Sequence, residues 1–131
     1  MREPKSDVTP EYELWSCEDQ FASEDEVIEL LAALVRAEKP RVAIEVGAHR
    51  GFASEAIGRA LERNGRGHLH TFELEGELAQ ETERRTVGLP VTVHPTSDTD
   101  AAPDFAGMSF DAAERIHIVT PRGLTLMRMR G

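Results

Sequence analysis

Cysteine, basic charge and long apolar runs are all scarce in this sequence, and each scarcity excludes something. Cys17 is the only cysteine, so no internal disulfide can form and a reducing, cytoplasmic setting is expected. No stretch approaches the ~18 apolar residues of a membrane-spanning helix, and the first residues lack the apolar core of a signal peptide. The expectation is a soluble chain with no membrane partner. Lys and Arg number 15 against 24 Asp and Glu, a net charge of −9. That balance argues against a nucleic-acid partner, because phosphate contacts need clustered cations.

The shortage of cations is local. None falls between Lys5 and Arg36, where Glu11, Glu13, Glu18, Asp19, Glu24, Asp25, Glu26 and Glu29 lie. After Glu114 the pattern inverts: Arg115, Arg122, Arg128 and Arg130 follow with no acid. Two solvated faces of opposite sign account for this. The sharper alternative is a basic tail docked on an acidic surface, its own or a neighbouring subunit's.

What is present suffices for one domain: 131 residues, 40% of them hydrophobic and 30% charged, is an ordinary globular composition. Residues 1–20, with Pro4 and Pro10, read as an N-terminal arm whose apolar anchors are Tyr12, Leu14 and Trp15; residues 21–131 read as a single domain. Ser23-Glu24-Asp25-Glu26 has the form of a capping box, with Ser23 accepting from the Glu26 amide. It opens a helix whose apolar face runs through Val27, Leu30, Leu31 and Leu34 to Glu38 before Pro40. "RVAIEV" (41–46) is a buried parallel strand, and a helix over 52–64 follows, with Ala53, Ala56, Ile57, Ala60 and Leu61 inward and Gly65 as its stop. A second strand (67–73), a helix (76–88) supported by Glu81 and Arg85, and a third strand (89–95) complete a right-handed βαβαβ unit.

Residues 96–109 are loop chemistry, "FDAA" (110–113) is a candidate fourth strand, and "IHIV" and "LTLMRM" flank the type I turn Thr120-Pro121-Arg122-Gly123. An antiparallel strand added to the parallel sheet is therefore expected at the C-terminus.

Ligands of parallel α/β sheets sit at the carboxyl ends of the strands. The first strand–helix turn, Gly47-Ala48-His49-Arg50-Gly51, lies there, and the next strand ends in Glu73, an acid able to accept both hydroxyls of a ribose. The unit reads as a nucleoside half-site. A dinucleotide fingerprint needs three glycines around a pyrophosphate; this turn has two, with His49 where the middle one belongs, and that weakens a nicotinamide or flavin reading. Three plainer accounts stand beside this one: the glycines only permit a tight turn, Glu73 is only an exposed acid, and His68 and His70, on one face of a strand, lack a third ligand. The last point favours a non-metal role for the two histidines.

"AIEVGAHRGFAS", "LHTFELE" and "VHPTSD", in that order and spacing, resemble the first three motifs of the class I S-adenosylmethionine-dependent methyltransferases, over roughly residues 20–113. The resemblance implies a Rossmann-like three-layer α/β sandwich with a mostly parallel sheet and an antiparallel C-terminal strand, shortened relative to the family's seven strands. It implies S-adenosylmethionine as cofactor, with Glu45, Gly47, Ala48 and Gly51 at its methionine end. Glu73 would be on the ribose, Leu74 beside the adenine, and Ser97 and Asp98 near the adenine edge; Trp15, Gln20 and Phe21 would cover the pocket. The implied activity is methyl transfer to a small-molecule acceptor. His49 and Asp111 are the candidate catalytic groups, Glu114 and His117 further candidates for a base, and no metal is implied. A shortened sheet leaves an open edge, which favours a homo-oligomer. The alternatives are a non-catalytic S-adenosylmethionine-binding module and an enzyme that cleaves or cyclises the same cofactor.

Overall fold

The computed structural model describes residues 3–4, 16–18, 22–96, 113–118 and 124–129. Its elements in chain order are β1 (Glu3–Pro4), β2 (Ser16–Cys17), α1 (Asp25–Glu38), β3 (Val42–Val46), α2 (Phe52–Asn64), β4 (His68–Phe72), α3 (Gly76–Arg85), β5 (Val91–His94), β6 (Ala113–Ile118) and β7 (Leu124–Met129). Strands β3, β4 and β5 form a parallel sheet in that order, with Val42 opposite His68 and Leu69 opposite Val91. The predicted βαβαβ unit is therefore present.

Alternation along the strands decides the packing. Ala43, Leu69 and Val91 share one face, and there they meet Leu31 and Val35 of α1 and Ile57, Ala60 and Leu61 of α2. Both crossovers move in the same direction across the sheet, so α2 and α3 lie on the same side. Gly58 lets α2 sit close to the sheet: a Cβ there would stand 2.8 Å from Val91 Cγ2. Asn64, at the end of α2, donates to the Val35 carbonyl at 2.9 Å, alongside the Lys39 amide that caps α1 on the same oxygen at 3.0 Å, and so ties the two helices together. Among the described residues all three helices cover this one face of the sheet.

Four expectations change. The helix α1 starts one residue later than the capping box predicts: Glu24 is the N-cap, with no side-chain cap bond, and it is itself buried. On α1, Val35 is buried and Leu30 is 40% exposed, which turns the apolar stripe away from the predicted Leu30. In the arm, β2 pairs antiparallel with β1, Cys17 is fully buried, and Ser16 Oγ donates to Asp25 Oδ2 at 2.6 Å, tying the arm to the start of α1. Tyr12, Leu14 and Trp15 lie outside the described residues. At the C-terminus β6 begins at Ala113, where the candidate fourth strand ends. It pairs antiparallel with β7, but the two form a sheet of their own, not hydrogen-bonded to the parallel one, although β7 runs close to β3. Residues 110–112 lie outside the described ones.

Candidate functional site

The carboxyl ends of β3, β4 and β5 finish side by side, and the chain leaves each in a turn. After Val46 the turn runs over Gly47 (φ 80°), Ala48, His49 (φ 52°), Arg50 and Gly51 (φ 86°) into α2. Three of its amides point at the neighbouring strand. Gly47 and Ala48 donate to the Phe72 carbonyl at 2.9 and 3.2 Å, and His49 donates to Glu73 Oε2 at 2.7 Å. The Gly51 amide closes the turn on the Ala48 carbonyl at 3.0 Å. These donors are consumed inside the fold, so they form no cradle for a pyrophosphate, which needs free backbone amides.

Two acids flank the turn. Glu73 follows β4 directly, and its other oxygen, Oε1, accepts the Glu75 amide at 3.0 Å. One backbone donor on each oxygen fixes the plane of the carboxylate and leaves lone pairs for further donors. Leu74, beside it, is 73% exposed. Glu45 has a different setting. It lies on the helical face of β3, where the Ser54 hydroxyl of α2 and the Thr71 hydroxyl of β4 both donate to its Oε1, the latter at 2.6 Å. Burial pushes the Glu45 carboxyl above the ordinary carboxylate range. The two hydroxyls oppose that rise, and the negative charge of Glu73 adds to it.

Helix α3 reaches the turn from the far side. Thr82, fully buried, donates from Oγ1 to the His49 carbonyl at 3.0 Å, and Arg85 Nε donates to the Arg50 carbonyl at 2.9 Å. Arg50 in turn pairs with Glu81 at 3.0 Å, which holds the Glu81 carboxyl below its usual range. The Arg85 guanidinium lies 4.0 Å from the centre of the Phe52 ring, at the first residue of α2.

The predicted site residues Glu45, Gly47, Ala48, His49, Gly51, Glu73 and Leu74 therefore gather at the strand tips. Ser97, Asp98 and Asp111 lie outside the described residues, as do Trp15, Gln20 and Phe21. Glu114 and His117 fall on β6. Sequence reasoning did not find Ser54, Thr71 or Thr82. Their signal, a hydroxyl on an inward position, is shared by many structural threonines and serines. The two strand histidines gain a third neighbour, because His94 of β5 brings Nε2 within 3.1 Å of His70 Nδ1. No group of three metal-ligating side chains fit to hold a metal ion occurs among the described residues. A hollow of about 230 Å³ lined by Glu18, Asp25, Ile28, Glu29 and Phe52 opens at the start of α1, beside the turn rather than in it.

No protein-family model and no curated protein matches the sequence. Solved structures do. The chain is similar to the O-methyltransferase TomG from Streptomyces achromogenes, solved in complex with S-adenosylmethionine, at 27% identity and a TM-score of 0.60 over 66% of this chain and 40% of that one. It is similar to an O-methyltransferase from Bacillus cereus in complex with S-adenosylhomocysteine, at 18% identity and 0.59 over 70% and 43%. The methyltransferase PaMTH1 from Podospora anserina, bound to S-adenosylhomocysteine, superimposes at 0.57 over 84% and 80% with 10% identity. The chain spans about two fifths of the length of the two O-methyltransferases. Its parallel unit, with the glycine turn after the first strand and the acid after the second, has the fold of the class I S-adenosylmethionine-dependent methyltransferases.

Proposed function

We propose that the chain binds S-adenosylmethionine across the tips of β3 and β4 and serves methyl transfer to a small-molecule acceptor. One observation carries the reading above any other nucleoside cofactor. The turn amides of Gly47, Ala48 and His49 are spent on Phe72 and Glu73, while two carboxylates stand where the ligand would lie. A turn whose first three amides are spent inside the fold, with two acids beside it, suits a cationic nucleoside without phosphates. The neighbours TomG and the Bacillus cereus enzyme, solved with S-adenosylmethionine and S-adenosylhomocysteine, support the same cofactor.

In this reading Glu73 accepts the ribose hydroxyls on the lone pairs its two amide donors leave. Leu74 offers an exposed apolar surface to the adenine, and Ser97 and Asp98 stand near the adenine edge. Glu45, with the Gly47–Gly51 turn, holds the methionine end, where its carboxylate faces the ammonium. The bound cofactor supplies an electrophilic sulfonium methyl. The chain's own part is to orient it and to exclude water, since proximity and alignment account for much of such a transfer. Where the acceptor arrives protonated, His49 or Asp111 takes the proton.

Among the described residues β3 and β5 are each hydrogen-bonded on one side, to β4, and a parallel sheet with such edges supports a homo-oligomer in which a second copy completes the site. The short span relative to the O-methyltransferases favours one second reading, a cofactor-binding module without turnover.

Calorimetric titration with S-adenosylmethionine and S-adenosylhomocysteine, with light scattering on the same sample, tests these points. Binding of both is expected, and Glu73→Ala should weaken it by about 1–3 kcal/mol through loss of the charge-assisted bonds. Unchanged affinity removes Glu73 from the ribose, and no binding by the wild-type chain removes the cofactor. A monomer at working concentration removes the oligomer. Binding without transfer to any small hydroxyl, amine or thiol acceptor selects the module.

A further inference from the structure

His49 holds a backbone conformation, φ 52°, that a residue with a side chain seldom adopts, so something must hold it there. Its amide is fixed by Glu73 Oε2 at 2.7 Å. Its carbonyl is fixed by Thr82 Oγ1 at 3.0 Å, and the next carbonyl, of Arg50, by Arg85 Nε at 2.9 Å. All three holders belong to one stretch of chain, the β4–α3 connection and α3 itself.

The contact is also steric. A Cβ at Gly51 would stand 3.0 Å from Thr82 Cα, Cγ2 and Oγ1, and Gly51 itself sits at φ 86°. The closing glycine of the turn is therefore seated against the same residue that bonds the His49 carbonyl. Thr82 is fully buried, so the carbonyl it satisfies has no easy substitute donor in water. Farther along the helix Arg85 reaches Glu81 at 3.4 Å and Glu55 at 3.7 Å, while Arg50 reaches Glu81 from the turn. These ion pairs anchor the turn at the half-exposed rim, and Thr82 anchors it at the buried centre.

We propose that Thr82 is a positioning residue for the methionine side of the cofactor, acting through the His49 carbonyl and the close packing of Gly51 to keep the turn in its left-handed form. The proposal rests on the S-adenosylmethionine reading for its ligand, though not for its geometry. It makes α3 the common support of both ends of the site. Glu73 precedes the helix and binds the ribose, and Thr82, two turns on, shapes the loop that meets the methionine.

The test compares Thr82→Val, which keeps the volume and removes the hydroxyl, with Thr82→Ser, which keeps the hydroxyl. In the ligand-free chain, hydrogen exchange at the His49 amide should quicken in Thr82→Val and stay near wild type in Thr82→Ser. Titration should then show S-adenosylmethionine bound about tenfold more weakly by Thr82→Val, the size of one hydrogen bond. Adenosine, which lacks the methionine part, should keep its affinity, and Thr82→Ser should bind S-adenosylmethionine like the wild type. Equal weakening of both ligands marks a general loss of structure and overturns the proposal, as does unchanged exchange at His49. Wild-type chain that binds neither ligand overturns the cofactor reading instead, while the exchange measurement still decides whether Thr82 holds the turn.

Discussion

The parallel sheet has two faces made of alternate residues of the same strands, and they differ in kind. On the helical face Ala43, Leu69 and Val91 meet Leu31, Val35, Ile57 and Leu61 in an apolar core. On the other, His68, His70 and Phe72 of β4 lie beside Thr92 and His94 of β5. That second face is organised by rings and hydrogen bonds. His68 Nε2 is 2.7 Å from Thr92 Oγ1, and the Phe72 and His94 rings stack at 4.7 Å. On the helical face a polar knot lies at the strand tips, where Glu45, Ser54 and Thr71 converge. The apolar core thus fills the middle of the helical face, and a polar cluster lies at its end, where the candidate site is.

The sharpest way to break this contrast is to truncate one residue on each face. Leu61 is fully buried at the centre of the helical face; Leu61→Ala should cost about 2–5 kcal/mol through lost burial and the cavity left behind. Thr92 is exposed on the opposite face, and Thr92→Ala should stay within about 0.5 kcal/mol. Urea unfolding midpoints measure both. Comparable losses would mean that the two faces carry the fold equally.

Glu45 is the exception on the helical face, and removing its charge sharpens the contrast. An acid whose folded pKa is raised contributes stability that is fully present below its unfolded value, 4.5, and lost as the pH rises through the folded value. Glu45→Gln keeps an acceptor for Ser54 and Thr71 and cannot ionise. The variant should match the wild type near pH 4 and be the more stable of the two at neutral pH, in unfolding curves taken across that range. It should also bind S-adenosylmethionine more weakly, since the carboxylate facing the ammonium is gone. A variant less stable at neutral pH would show that the ionised carboxylate stabilises the fold.

Much of this architecture is legible in the sequence, because the signals are local. The break after Val46, the glycine after Asn64 and the alternation in 68–72 fix β3, α2 and β4 to within about a residue. The capping box at Ser23 fails for a tertiary reason: Glu24 is drawn into the interior and takes the N-cap position itself. Pairing of Glu81 with Arg85 is readable as a helical spacing, but its reach to Arg50, 31 residues earlier, is not. Thr82 was silent for the same cause, since nothing local says that α3 packs on the glycine turn. The alternation of β6 and β7 gives two strands without saying which sheet they join.

The histidine row on the opposite face gives the smallest effect and probes that face directly. Burial, then the neighbouring charges of His68 and His94, pushes His70 below the ordinary histidine value of 6.5. A histidine depressed in the fold takes up its proton more readily when unfolded. Its contribution is therefore present above pH 6.5 and is lost as the pH falls below that value toward the folded pKa. Between pH 7.5 and 5.5 the unfolding midpoint of the wild type should therefore fall relative to that of His70→Gln. Partial exposure of the row keeps the effect below that of either change on the helical face. If the slope is the same with glutamine in place, the proton is taken up elsewhere, and the row of rings is held by stacking alone.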